Sequence, residues 1–328
     1  METRKIGNTD VKVSVLGLGC APLGGNFVDL DDTQSSSVVT EALNAGVTYF
    51  DTAPWYGFGR SERTVGDGIR GKNCVVSTKV GRILKPGAIS DPESYGMIKP
   101  LPFHPTYDYS YDGFMRAFED SLQRLGLEKI DILLVHDIGT FQHGSDNIRH
   151  FKNLKDSGYK ALDELRRNGQ IKAIGLGVNE NEICMDALDI GKWDVFLLAG
   201  RYTLLEQLSL DKLVPACISS GTSIICGGPF NSGVLVNREM WNYSKAPELV
   251  VKKVESLKMI AGEFKVSLPS AALQFPLANS VISSVIPGPR SGEELQQICK
   301  WLSEKIPEDF WITLKSMGLL DERAPTPK

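Results

Sequence analysis

Eight short apolar runs, most of them followed by a segment with helical periodicity, constrain the fold more than any other feature of this chain. The runs are Val15–Leu18, Val47–Phe50, Cys74–Thr78, Ile130–Val135, Ala173–Gly177, Val195–Ala199, Ser223–Cys226 and Val281–Ile286. They are continuous and rich in β-branched residues rather than alternating, which suits parallel strands covered on both faces. The clearest helical stripe between them is Phe114, Ala117, Phe118, Ser121, Leu122 and Leu125, with Asp112 expected as its cap. Others fall at Val38–Leu43, Ala161–Arg167, Ile183–Leu188, Leu249–Phe264 and Glu293–Leu302.

Eight strand–helix units predict a closed (β/α)8 barrel, expected as one domain over residues 1–328. A doubly wound sheet would carry a G-x-G-x-x-G turn after its first strand. Here Gly17-Leu-Gly19 runs into Cys-Ala-Pro22-Leu-Gly24, where the spacing is wrong and Pro22 falls at the helix start. Residues 2–14 place Gly7-Asn-Thr-Asp10 between two extended pieces. They read as a β-hairpin plugging the N-terminal end of the barrel.

Composition narrows the partners. With 36 basic against 40 acidic residues, the chain has no basic field for nucleic acid. No apolar run approaches the ~18 residues of a membrane helix, and no signal core follows Met1-Glu-Thr-Arg-Lys. The six cysteines form no CxxC pair and are expected as buried, reduced thiols, without a zinc or other metal site. The expectation is a cytoplasmic protein, monomeric or a small homo-oligomer, acting on a small molecule.

In a barrel, chemistry collects at the C-terminal ends of strands. Those positions hold Asp51 and Tyr56 after the second run, Lys79 at the third and His136 at the fourth. Singly, each has a plain structural reading: an ion pair, loop packing, a strand-end histidine. On three successive strands they form a set with joint chemistry. A tyrosine ionises near pH ~10, a neighbouring ammonium lowers that value, and a carboxylate holds the ammonium in place. A histidine alongside can donate to the substrate oxygen. The set suits proton exchange at an alcohol or carbonyl oxygen during hydride transfer with a nicotinamide.

Asp51-Thr-Ala-Pro-Trp-Tyr56-Gly with Ser61-Glu62, Ser77-Thr-Lys79, Leu133-Leu-Val-His136 and Ile286-Pro-Gly-Pro-Arg290 resemble the aldo-keto reductase superfamily. His104–Ser110, Leu198–Leu205 and Gly227–Val234 are similar to the branch holding D-threo-aldose 1-dehydrogenase, L-fucose dehydrogenase and pyridoxal 4-dehydrogenase. The resemblance implies a catalytic tetrad of Asp51, Tyr56, Lys79 and His136. It places Asn179 near the nicotinamide carboxamide from a shifted register, since the stretch of the usual Ser-Asn reads Gly177-Val178-Asn179 here. Pro229, Phe230, Asn231, Ser232, Gly233 and Leu235 match the loop along the pyrophosphate. Gly288, Arg290, Ser291 and Glu294 match the adenosine end. The glutamine common on the sixth strand falls at Ala199, and the ring that often stacks on the nicotinamide falls at Gly227. Arg290 is the one basic residue in the stretch after the eighth strand, followed by Glu293 and Glu294. That pattern favours NAD over NADP.

Two long segments, 81–111 and 137–157, follow the third and fourth strands. One reading is a substrate lid lined by Trp55, Phe103, Tyr107 and Tyr109; the other is a solvated insertion with aromatic anchors. The branch resemblance implies oxidation of the C1 hemiacetal of an aldose such as L-fucose, L-galactose or D-arabinose to a lactone. The alternatives are pyridoxal oxidation, general NADPH-dependent aldehyde or ketone reduction, and, from a different class, a non-enzymatic nicotinamide-binding subunit.

Overall fold

The computed structural model describes residues 1–328. Its strands in chain order are β1 (Thr3–Lys5), β2 (Lys12–Ser14), β3 (Leu18–Gly19), β4 (Tyr49–Asp51), β5 (Val75–Val80), β6 (Arg82–Pro86) and β7 (Phe103–Tyr107). They continue with β8 (Ile132–His136), β9 (Ala173–Val178), β10 (Val195–Ala199), β11 (Ser223–Gly227), β12 (Met240–Trp241), β13 (Ser244–Lys245) and β14 (Ile282–Ile286). The parallel order is β3-β4-β5-β8-β9-β10-β11-β14, one strand for each apolar run. A bridge between Leu16 and Val285 returns the last strand to the first, with Gly17 N donating to Val285 O and Gly19 N to Pro287 O, both at 2.9 Å. The sheet is therefore a closed (β/α)8 barrel, and closure leaves no strand edge unpaired.

The β1–β2 hairpin plugs one end as expected. Ile6, Val11 and Val13 pack against Tyr49, Ile132, Leu134, Val195, Leu197, Ile225 and Ile286 inside the barrel. Arg4 ties the hairpin down through the carbonyls of Leu277 and Ile282, at 2.8 and 2.9 Å. With that end filled by apolar side chains, open space is left at the other, where the strands end.

Between barrel and helices lies the larger core. The helix Tyr111–Leu125 buries Phe114, Ala117, Phe118, Ser121 and Leu125 of the stripe read from the sequence, while Leu122 packs on the core half-buried. Its cap is Ser110 rather than Asp112: the Ser110 hydroxyl accepts from Gly113 N. The helix begins before Asp112, whose carboxylate sits in the first turn and favours the positive end of the helix dipole. All six thiols are free; Cys20, Cys184, Cys217 and Cys226 are buried, while Cys74 and Cys299 are only half-buried. No helix is long and apolar enough to cross a membrane.

The long segments are structured. Residues 82–107 contain the antiparallel β6–β7 pair, and residues 140–153 contain two short helices. A further two-residue hairpin, β12–β13, stands after β11. All three sit at the C-terminal ends of the strands and build the walls of the site.

Candidate active site

The strand register brings the four predicted groups together. β4 ends on Asp51, Lys79 lies one residue from the end of β5, and β8 ends on His136. Lys79 and Asp51 are almost wholly buried. Lys79 Nζ donates to Asp51 Oδ2 and to the Thr52 carbonyl, each at 2.8 Å. The other carboxylate oxygen accepts from Ser77 Oγ at 2.6 Å. Lys79 Nζ also lies 4.7 Å from the centroid of the Tyr56 ring. That ring meets His136 edge-on, with centroids 5.8 Å apart. The Tyr56 hydroxyl and His136 Nε2 make no hydrogen bond within the protein, and both residues line the cleft.

Burial pushes the Tyr56 phenol well above its ordinary ionisation range, and the Asp51 and Asp137 carboxylates add to the effect. This corrects the sequence expectation of a lowered value. The first reason is burial of the phenol, and Lys79, paired with Asp51, does not stand beside the ring as a free cation to offset it. The resting residue is a neutral phenol. Burial also drives His136 well below the ordinary histidine range; Asp137 opposes this, and Arg82 and Lys79 reinforce it.

Sequence reasoning missed Arg82. Gly81 turns the chain at φ +104, where a side chain would strike the Tyr109 ring, and so directs β6 back across the barrel mouth. Arg82 Nη1 then lies 2.9 Å from His136 Nδ1, and Nη2 donates to Asp137 Oδ2 at 2.7 Å.

The cleft has a volume of about 700 Å³. Asp51, Tyr56, Lys79 and His136 lie on its surface, as do Asn179, Pro229, Phe230, Ser232, Gly233, Gly288, Arg290 and Glu294. Three predicted cofactor residues stand behind the wall. Asn231 donates to the Gly200 carbonyl and Glu206, Leu235 is in the core, and Ser291 caps the helix Gly292–Ser303. Of the four aromatics assigned to a lid, only Trp55 reaches the cleft. Phe103 packs on a small cluster of Phe58, Leu84 and Met97. Tyr109 is fully buried, its hydroxyl donating to the His136 carbonyl at 2.9 Å. Tyr107 packs on Arg82 and accepts from Gln142. The rim is instead made by Phe27, Tyr95, Phe141 and Tyr243, which come from four separate loops and carry no shared sequence signal.

The residues present fit a dinucleotide. Gly227, Gly228 and Gly288 leave bare main chain along the cleft, and a Cβ on Gly288 would crowd Pro22 and the Gly19 carbonyl at 3.0–3.2 Å. Asn26 Oδ1 is buried in the wall without a partner. At the far end Glu294 accepts from Arg290 Nε at 2.9 Å and from Arg238 at 3.3 Å. Arg238 is a second basic group that the sequence reading did not place there, because it arrives from the loop after β11, far from Arg290 in the chain. Tyr243, on the β12–β13 turn, accepts from Asn179 Nδ2 at 3.2 Å and stacks on Phe27 across the cleft at 6.2 Å.

The sequence profile of the Aldo/keto reductase family matches residues 15–318. A pyridoxal 4-dehydrogenase from Microbacterium luteolum is 41% identical over 97% of this chain and 98% of its own length. A D-threo-aldose 1-dehydrogenase from a Pseudomonas species is 33% identical over 96% of both. Among solved structures, the holo form of an aldo-keto reductase from Bacillus halodurans superposes with a TM-score of 0.77 over 97% of this chain and 96% of that one, at 22% identity. The chain is an NAD(P)-dependent oxidoreductase and belongs to the aldo/keto reductase family.

Proposed function

We propose that this enzyme, one barrel domain over residues 1–328, oxidises a cyclic hemiacetal to a lactone with NAD as hydride acceptor. The observation that carries the reading is the pair of open groups on the cleft floor. The Tyr56 hydroxyl and His136 Nε2 alone in the tetrad have no protein partner, and they converge under a rim of aromatic rings. When bound, the oxidised nicotinamide supplies the hydride acceptor and a positive charge. His136 holds the substrate oxygen, and Tyr56 exchanges the proton of the hemiacetal hydroxyl. Lys79 and Asp51 keep the ring of Tyr56 in place. Glu294, held at the adenosine end between Arg238 and Arg290, supports NAD, since a 2′-phosphate there would meet a carboxylate.

For the substrate we favour a planar heteroaromatic hemiacetal of the pyridoxal type. Pyridoxal closes on its own hydroxymethyl group and so presents the functional group of an aldose C1 on a flat ring. Trp55, Tyr95, Phe141 and Tyr243 offer ring faces and edges for such a plane. The likeness to the pyridoxal 4-dehydrogenase supports the same reading. An aldose is the second reading, favoured by the polar atoms of Asn26, Gln142 and Asp137 in the same walls.

The test is NADH formation at 340 nm with pyridoxal, L-fucose, L-galactose and D-arabinose. The expected kcat/KM for pyridoxal exceeds that for each aldose by about tenfold or more. Turnover of an aldose but not of pyridoxal would establish the second reading, and no NADH from any of them would overturn both.

A further inference from the structure

Arg82 is 2% exposed, and its guanidinium is enclosed on all sides. It lies between the Trp55 ring at 4.5 Å and the Tyr107 ring at 5.1 Å, Nη1 faces His136 Nδ1, and Nη2 holds Asp137. Its Nε is buried without an acceptor, so the group is placed here at the cost of one unpaired N–H. Salt-bridge stability alone does not explain the contact to a neutral imidazole.

Arginine carries donors only and does not lose its proton in proteins. In the Arg82–His136 contact the imidazole must therefore accept, and Nδ1 must hold a lone pair. The ring proton then sits on Nε2, the nitrogen without a hydrogen-bond partner, on a residue that lines the cleft. We propose that Arg82 is a positioning residue that locks His136 as the neutral Nε2–H tautomer, so that His136 presents a donor, and never an acceptor, to the substrate oxygen. This rests on the role given to His136 above.

Protonating His136 would put an N–H on Nδ1 against the Nη1–H of Arg82 and break the contact. The groups around the ring act in both directions. Asp137 Oδ2, 3.6 Å from Nε2, favours the imidazolium, but the same oxygen is held by Arg82. Lys79 from β5 and Arg82 from β6 oppose it. The Tyr56 ring lies edge-on, and the Tyr109 hydroxyl is engaged with the His136 backbone carbonyl. Two cations and burial outweigh one shared carboxylate.

The direct test is ring-nitrogen NMR on the whole protein labelled with ¹⁵N-histidine, with His136 assigned by the signal missing in His136→Gln. The expected spectrum shows a protonated Nε2 and a bare Nδ1 from about pH 5 to 8, without titration. A proton on Nδ1, or an ordinary midpoint near about 6.5, overturns the proposal. Kinetics give a second reading. Arg82→Met is expected to lower kcat about 10²-fold with cofactor affinity within a few-fold. It should also introduce an acid limb near about pH 6.5, as His136 beside an unpaired Asp137 regains its titration. Arg82→Lys, which keeps the charge and a donor, should remove that limb and recover part of the rate. A wild-type rate and pH profile in Arg82→Met would also overturn the proposal, and if that variant does not fold, the wild-type spectrum decides. The NMR result is independent of the substrate, so failure to find turnover would sink the proposed function and leave the tautomer assignment standing.

Discussion

Lys79 Nζ donates to Asp51 Oδ2 at 2.8 Å, with both side chains at most 3% exposed. Two charges so buried are stable only together, because the site supplies little solvation to either alone. Lys79→Met leaves an unpaired carboxylate and is expected to cost about 3–5 kcal/mol of stability. Adding Asp51→Asn should recover much of that loss in a denaturant titration while activity stays low. A double variant no more stable than Lys79→Met would show that the pair does not act as a unit.

The raised ionisation range of Tyr56 fixes the sign of the pH dependence. Oxidation needs the tyrosine as base, so its rate should climb with pH toward the alkaline range, without a plateau near neutrality. Reduction needs the phenol and should stay flat over the same range. Initial rates in both directions from about pH 6 to 10 check this, and an oxidative plateau reached by about pH 7 would mean that Lys79 lowers the phenol after all.

Glu294 bridges Arg238 and Arg290 at the end of the cleft assigned to the adenosine. Removing the carboxylate frees both guanidinium groups for a phosphate. Glu294→Ala is expected to raise kcat/KM for NADP about tenfold relative to NAD. An unchanged ratio would show that Glu294 does not discriminate between the two cofactors.

Acid stability should be set first by histidines. His143 is pushed down to about 4, by burial first and by neighbouring His150 and Arg82, and His136 is also lowered. The folded protein then binds fewer protons than the unfolded chain below the unfolded value near ~6.5, so stability is lost as pH falls from there toward about 4. The Tm is expected to drop about 3 °C between pH 7.5 and 5.0, and His143→Gln, which keeps a partner for Tyr109, should reduce the slope. A Tm that rises on acidification contradicts this.

The fold was legible because a buried parallel strand advertises itself: each of the eight apolar runs became a strand, and Val195–Ala199 kept both its ends. Asp51, Tyr56, Lys79 and His136 were legible because each stands at or just beyond such a run. What the sequence did not yield depends on contacts between distant loops. Arg82 lies three residues after Lys79, but nothing local shows that Gly81 turns it onto His136. Phe103 and Tyr109 looked like substrate rings and serve as packing under the wall, whereas Phe27 and Tyr243 meet across the cleft from positions 216 residues apart. The lowered tyrosine failed for the same reason. Spacing brings Lys79 and Asp51 near Tyr56, but only the three-dimensional structure shows that the phenol is buried and faces the Asp51 and Asp137 carboxylates.

The central claim is that the Tyr56 hydroxyl is the proton-transfer group for hydride transfer in this cleft. Tyr56→Phe removes one oxygen from a ring held by Lys79 and His136 and leaves the packing in place. Its steady-state rate with NAD and pyridoxal or an aldose, alongside NAD affinity by fluorescence quenching, is the most direct measurement. The account predicts a kcat reduced about 10²–10⁴-fold with NAD affinity nearly unchanged. A Tyr56→Phe enzyme that binds NAD and turns over at the wild-type rate would contradict it.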